Sequence, residues 1–213
     1  NSVDYEGQLG NQLALVARLI KGGLGTKLYM VTLDGFDTHA NQPNQHANLL
    51  NNLASSVKAF YDDLATADRA KDVLAMTFSE FGRRIVSNGS TGTDHGSAAP
   101  MFLFGSNVNK QILGDNPIIP ANATVADNIP YQYDFRSVYA TVLERWFCLD
   151  PQVVESLFPA GINTTLQTLP LLKQQACSPV SINEQGAAAL EVSAFPNPFM
   201  NFLDVRFRTD GGR

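Results

Sequence analysis

Apolar positions along the chain recur in two rhythms. Residues 11–22, NQLALVARLIKG, place Leu13, Val16, Ala17, Leu19 and Ile20 at helical spacing, and the pair Gly22-Gly23 ends the run. Residues 27–33, KLYMVTL, form a short β-rich stretch that predicts a strand and gives way to the polar, glycine-bearing loop DGFDTH. From about 44 to 67, Leu49, Leu50, Leu53, Val57, Phe60, Tyr61 and Leu64 return to helical spacing. Residues 72–78, DVLAMTF, are almost continuously apolar, as buried parallel strands are, and run straight into SEFGRR. A glycine- and serine-rich loop, SNGSTGTDHGSAAP, leads to a third short strand, MFLF at 101–104, which ends at Gly105. The stretch up to Pro130 reads as irregular. Residues 135–147, FRSVYATVLERWF, are an amphipathic helix with Asp134 as its cap.

Strand, helix, strand with intervening loops is the pattern of an α/β fold. It predicts a parallel, doubly wound sheet holding 27–33, 72–78 and 101–104, with helix 44–67 packed on it. In such sheets function gathers at the carboxyl ends of the strands, where the loops after Leu33 and Phe78 fall. After Phe158 the character changes. Residues 159–189, rich in Thr, Gln, Ala and Pro, read as a linker. LEVSAFPNPF at 190–199 and LDVRFR at 203–208 read as two short strands around a proline turn, a short β tail. The plan is therefore a main domain at 1–158, a linker at 159–189 and a tail at 190–213.

Composition narrows the function. The 213 residues are 44% hydrophobic and 16% charged, ordinary for a globular chain with one sizeable core and a small appendage. A net charge of −5 without any Lys/Arg run argues against a nucleic-acid or anionic-membrane surface. No apolar stretch is long enough for a transmembrane segment. Cys148 and Cys177 would pair in an oxidising compartment; two buried free thiols are the other reading.

The chemistry concentrates around three histidines, His39, His46 and His95. Two lie beside acids, in Asp37-Thr38-His39 and Asp94-His95. Residues two apart in an extended segment point the same way, so Asp37 and His39 can face one ion, with His95 arriving from another loop. Carboxylate oxygen and imidazole nitrogen together suit a divalent metal, zinc first among them. The blander reading makes Asp37 or Thr38 a helix cap and Thr93-Asp94 a turn. His46 reads as a surface residue on the first turn of the long helix. Glu80 ends a buried strand with Arg83 and Arg84 one turn on. A carboxylate there can ligate a metal and a guanidinium can hold an oxyanion; an internal Glu80–Arg83 or Glu80–Arg84 salt bridge is the alternative. Arg136 is expected to pair with Asp134. No phosphate-binding loop, nucleophile elbow or paired-cysteine metal motif is present.

GFDTHANQ (35–42), TFSEFGRR (77–84), GTDHGSAAPMFLFG (92–105) and DFRSVYATVLERW (134–146) resemble a widespread bacterial family, the domain of unknown function fifteen-oh-one, of the alkaline-phosphatase-like superfamily. The resemblance covers about residues 1–158 and implies the carboxyl-terminal part of an alkaline-phosphatase-like domain. It implies that Asp37, His39 and His95 hold a first metal and that Glu80 stands beside a second, with Arg83 and Arg84 on the substrate. Phe81 replaces a histidine expected at the second metal. The family usually begins well upstream of Asn1, so the Ser or Thr nucleophile is expected there, and residues 1–213 alone are expected to lack turnover. The tail, FPNPF (195–199) then LDVRF (203–207), resembles the sorting domain of type IX secretion. It implies a secreted or surface-anchored Bacteroidota-type cargo that meets the type IX machinery through its tail.

The leading expectation is thus a secreted metal-dependent hydrolase of phosphate or sulfate esters, acting on a small anionic ester. The alternative is a non-catalytic secreted or surface protein whose degenerate metal site binds a ligand or partner. A third reading is a serine hydrolase using Ser97.

Overall fold

The computed structural model describes residues 3–158 and 166–173, together with the backbone of 191–195 and 204–208. The chain divides into two compact units, Asn1–Gln175 and Ala176–Arg213.

The first unit opens with helix α1, Gly7–Lys21, which starts one turn earlier than its apolar spacing predicts. Its stripe of Leu9, Leu13, Val16 and Ala17 packs on Phe60 and Leu64 of α2, Gln42–Ala65, a helix that begins with Pro43 in its first turn. A polar pin crosses this apolar contact. Asp63, 1% exposed, accepts from Lys21 Nζ at 2.6 Å and from the Tyr5 hydroxyl at 3.1 Å. Burial, then the bond to Asp63, raises the Tyr5 hydroxyl above its ordinary pKa, so it stays a donor.

Residues 27–33 are extended and alternate as a strand does. Tyr29, Val31 and Leu33 turn inward onto the α1/α2 core, while Leu28 (59% exposed) and Met30 (70%) face out. This segment pairs with no strand among the described residues. Its Thr32 N–H and C=O are instead met by the Gln12 side-chain amide, both at 3.0 Å.

The other two expected strands are shorter than their apolar runs. β1, Ala75–Met76, follows a short 3-10 turn at Ala70–Asp72. Two further short strands, β2 (Gly82–Arg83) and β3 (His95–Gly96), form a hairpin, and β4, Leu103–Phe104, returns beside β1. The β1–β4 register, Ala75↔Phe104 and Met76↔Leu103, is antiparallel, so the expected parallel relation of 72–78 to 101–104 is corrected. The reason is the connection. Parallel strands need a crossover, usually a helix, whereas the chain between these two turns back on itself through the β2–β3 hairpin. Tyr61 of α2 donates to the carbonyl of Phe104 at 2.7 Å, tying the helix to this pair.

Helix α3, Phe135–Arg145, starts where expected. The Asp134 side chain accepts from the Arg136 backbone N–H at 2.9 Å and from its guanidinium at 2.8 and 2.5 Å, so the cap and the predicted pair are one feature. A short helix not anticipated from the pattern, α4 (Pro151–Ser156), is capped by Asp150. Residues 166–173, assigned by composition to the linker, belong to the domain. Leu169 and Leu171 are buried with Val138, and the Thr141 hydroxyl accepts from Leu169 N–H at 2.8 Å. The rest of the expected linker lies outside the described residues. Cys148 is disulfide-bonded and takes a left-handed φ of 56°, while Cys177 lies outside the described residues.

The second unit contains β5, Glu191–Phe195, and β6, Asp204–Arg208, paired antiparallel from Glu191↔Arg208 to Phe195↔Asp204. This agrees with the two strands read from the sequence; the proline turn between them lies outside the described residues. No described helix is long and apolar enough to cross a membrane.

Removing the Asp63 carboxylate strands Lys21 and the Tyr5 hydroxyl at the α1/α2 contact. Asp63→Ala should lower unfolding free energy by about 3 kcal/mol, and Asp63→Asn by less, since the amide still accepts. Urea unfolding measures this; an unchanged midpoint for Asp63→Ala would show that the apolar stripe alone holds the helix pair.

Candidate metal centre

Two loops, 36–42 and 88–95, lie side by side and build the site. Their backbones are laced by Asn41 N–H to Ser90 O (3.0 Å), Gln42 N–H to Thr91 O (3.0 Å) and Thr93 N–H to Thr38 O (3.4 Å). The Asn88 side chain adds a bond to the carbonyl of His39 at 3.0 Å. Closeness of this kind needs glycine. A Cβ at Gly92 would run into the His39 carbonyl group, one at Gly96 would strike the Arg83 backbone on the opposite strand, and one at Gly82 would strike the backbone of Ala98, just past β3. Asn41 (φ 48°) and Thr91 (φ 57°) both sit in the left-handed region at this crossing, which for a β-branched threonine is a strained conformation.

The two loops bring Asp37, His39 and His95 together. One ligand atom from each lies within 4.8 Å of the others. His95 Nε2 is 2.7 Å and His39 Nε2 3.0 Å from the same oxygen, Asp37 Oδ1, and the two rings are 4.9 Å apart between centroids. All three side chains are about half exposed, at 62% for Asp37, 47% for His39 and 46% for His95. The hydrogen bond from His95, then the charges of His39, His95 and Arg83, hold the Asp37 carboxyl below its ordinary pKa. It is therefore an anion at neutral pH, as a metal ligand must be.

This donor set fits a divalent ion. A tetrahedral ion with bonds of about 2.0–2.1 Å needs ligand atoms roughly 3.3 Å apart. The two spacings to Asp37, 2.7 and 3.0 Å, would open by a few tenths of an ångström, and the two imidazole nitrogens, within 4.8 Å of one another, would settle at about the same separation; exposed side chains can make such moves without disturbing a core.

The other residues singled out by sequence take different places. Glu80 is exposed, lies outside the group of three, and forms no ion pair with Arg83 or Arg84 among the described residues. Arg83 donates to the carbonyls of Thr93 (2.5 Å) and Phe36 and stands 3.7 Å from Asp37 Oδ1. Arg84 donates to the carbonyls of His95 (3.1 Å) and Ala126 (2.5 Å). Both guanidiniums thus bind backbone. The Ser97 hydroxyl donates to the Ile129 carbonyl at 3.1 Å, and its backbone N–H to Asn128. His46 is not a plain surface residue: its ring packs edge-on against Phe36 (5.7 Å, 84°), and its Nδ1 is buried without a hydrogen-bond partner. Phe81 stacks flat on the His95 ring, with centroids 3.8 Å apart and planes at 7°.

Sequence reasoning missed two contributors. Asn88 organises its loop by accepting from Ser90 and Gly92 N–H groups, and Phe81 fixes the plane of His95. An asparagine inside a Gly/Ser/Thr-rich loop was the available sign of the first, since its short amide satisfies nearby backbone. Nothing in the pattern announces the second.

One carboxylate and two imidazoles, carried on adjoining loops, form an exposed cluster that could hold a metal ion. The chain belongs to the family described as protein of unknown function DUF1501, which matches residues 2–158, a span that contains the whole site. No curated protein and no solved structure matches the chain.

Gly92→Ala should keep the helical circular dichroism and weaken cobalt binding by about tenfold or more, because a methyl group there pushes the His39 backbone away from His95. Equal cobalt affinity in the variant would show that the loops tolerate separation.

Proposed function

We propose that this chain carries the divalent-metal centre of a secreted hydrolase acting on phosphate or sulfate esters. The observation that carries the reading is the convergence of Asp37, His39 and His95 on one exposed point. Three protein ligands at a surface leave a coordination position for water or substrate, as catalytic zinc sites do. Zinc, when bound, would polarise the ester oxygen and lower the pKa of a coordinated water. The protein's part is to hold three ligands in place. Asp37 supplies the negative charge, and His39 and His95 supply neutral donors from two loops that Arg83 keeps together. The order of motifs, with Asp37 and His39 first, Glu80 next and His95 last, supports an alkaline-phosphatase-like α/β fold and leaves the nucleophile to a Ser or Thr outside the described residues.

A second reading has its own observation. Both Arg83 and Arg84 are engaged by backbone carbonyls, and Glu80 stands apart from the triad. This favours a metal site that binds a ligand or partner without turning it over. In either case we place the protein outside the cell or at its surface. The FPNPF and LDVRF strings, the paired β5 and β6, and the disulfide-bonded Cys148 support that assignment and a role for the tail in type IX secretion.

Protein stripped with EDTA and titrated with zinc should bind one equivalent, and His39→Ala and His95→Ala should each abolish it. Absence of stoichiometric binding in the wild type would remove the metal reading. The protein at its full natural length should then hydrolyse p-nitrophenyl phosphate or sulfate only when zinc is restored. Bound zinc without turnover on either ester would decide for the non-catalytic reading.

A further inference from the structure

We propose that Asp94 is the outer carboxylate that orients His39 toward the metal, and that Asn88 holds Asp94 in that position. This rests on the metal reading above and adds to it a positioning residue that touches no ligand of the ion.

The geometry is a relay. His39 Nδ1 lies 3.1 Å from Asp94 Oδ1, on the opposite side of the ring from Nε2, which faces Asp37. A carboxylate only accepts, and both His39 nitrogens face one, Nδ1 the Asp94 oxygen and Nε2 Asp37 Oδ1; an ion placed between Nε2 and Asp37 would take the Nε2 lone pair and leave the ring proton on Nδ1, donated to Asp94. Metal-binding histidines commonly have this arrangement, in which a carboxylate on the remote nitrogen fixes both tautomer and ring orientation. Asp94 is not itself a ligand: its oxygen meets the remote nitrogen, and it stands outside the group of three.

Asn88 completes the relay. Its Nδ2 donates to Asp94 Oδ1 at 3.2 Å and to the His39 carbonyl at 3.0 Å, so one amide grips both ends of the pair. Its Oδ1 is fixed in turn by the N–H groups of Ser90 (2.9 Å) and Gly92 (3.1 Å). With the amide oxygen committed to two backbone donors, only the NH₂ side can face Asp94, which settles the amide's orientation. Among the described residues no carboxylate meets the remote nitrogen of His95, whose ring lies against the face of Phe81. The two histidines are therefore oriented by different means, and a change at Asp94 acts on His39 alone.

The test compares wild type with Asp94→Ala, Asp94→Asn and Asn88→Ala by two readouts. One is cobalt affinity from the visible absorption of the bound ion. The other is the His39 ring tautomer in zinc-loaded protein, from long-range proton–nitrogen correlation spectra. Asp94→Ala should weaken cobalt by about 10- to 100-fold and shift His39 away from the Nδ1–H tautomer, with His95 unchanged. Asp94→Asn, which still offers a carbonyl to Nδ1–H, should recover most of both signals, and Asn88→Ala should fall between. Wild-type cobalt binding with the same affinity and the same His39 tautomer in Asp94→Ala overturns this inference and leaves the metal site standing. Failure of wild type to bind cobalt removes the metal reading instead. Should Asp94→Ala not fold, Asp94→Asn and Asn88→Ala carry the decision: unchanged affinity and tautomer in both overturn the proposal.

Discussion

The Arg83 guanidinium joins the two loops of the site from underneath. It leaves β2 and donates to the carbonyls of Phe36 and Thr93, with the Thr38 hydroxyl at 3.5 Å. These carbonyls belong to irregular segments that have no sheet to satisfy them, and a buried peptide oxygen left alone is costly. A planar cation with five donors answers several such oxygens at once, more firmly than neutral donors would. Thr38, 1% exposed between Asp37 and His39, lies at the centre of this junction. The ligands on either side of it are exposed, yet the backbone that carries them is anchored in the interior.

Charge and backbone geometry then act together. The same guanidinium that braces the loops adds to the positive surroundings that keep Asp37 ionised, so the fold and the site draw on one residue. The contact between loops is too close for any side chain at Gly92, and it holds Thr91 in a left-handed conformation. Strain of about 1–3 kcal/mol at such a residue persists only where surrounding bonds outweigh it. Here the lacing of 38–42 to 90–93 supplies them.

The sequence announced the parts of this molecule whose physics is local. Helix spacing placed α1, α2 and α3 to within a turn, and Asp134 announced its cap, because periodicity and capping depend on neighbours in the chain. Asp37, His39 and His95 were legible because their residue types carry one chemistry and the D-x-H spacing puts two of them on one side. Strand pairing was less legible: whether 72–78 and 101–104 run parallel depends on what the chain does between them. Arg83 and Arg84 were the hardest. A guanidinium near a carboxylate suggests a salt bridge or an anion site, and nothing in the sequence shows that carbonyls of distant loops will claim it. Residues 166–173 misled through composition, since Leu169 and Leu171 find their core only after α3 is in place.

The extended segment 27–33 has two unlike sides. In a strand, the N–H and C=O of one residue point to the same edge, and those of its neighbours to the other. The Gln12 amide occupies the edge belonging to Thr32, and so behaves as a plug. A strand approaching from that side would have to evict a side chain that already mimics a peptide group, while no such guard stands at the edge of Val31 and Leu33 among the described residues. Any sheet grown on this segment is thereby given a handed choice of neighbour, made by a glutamine on a helix rather than by the strand itself.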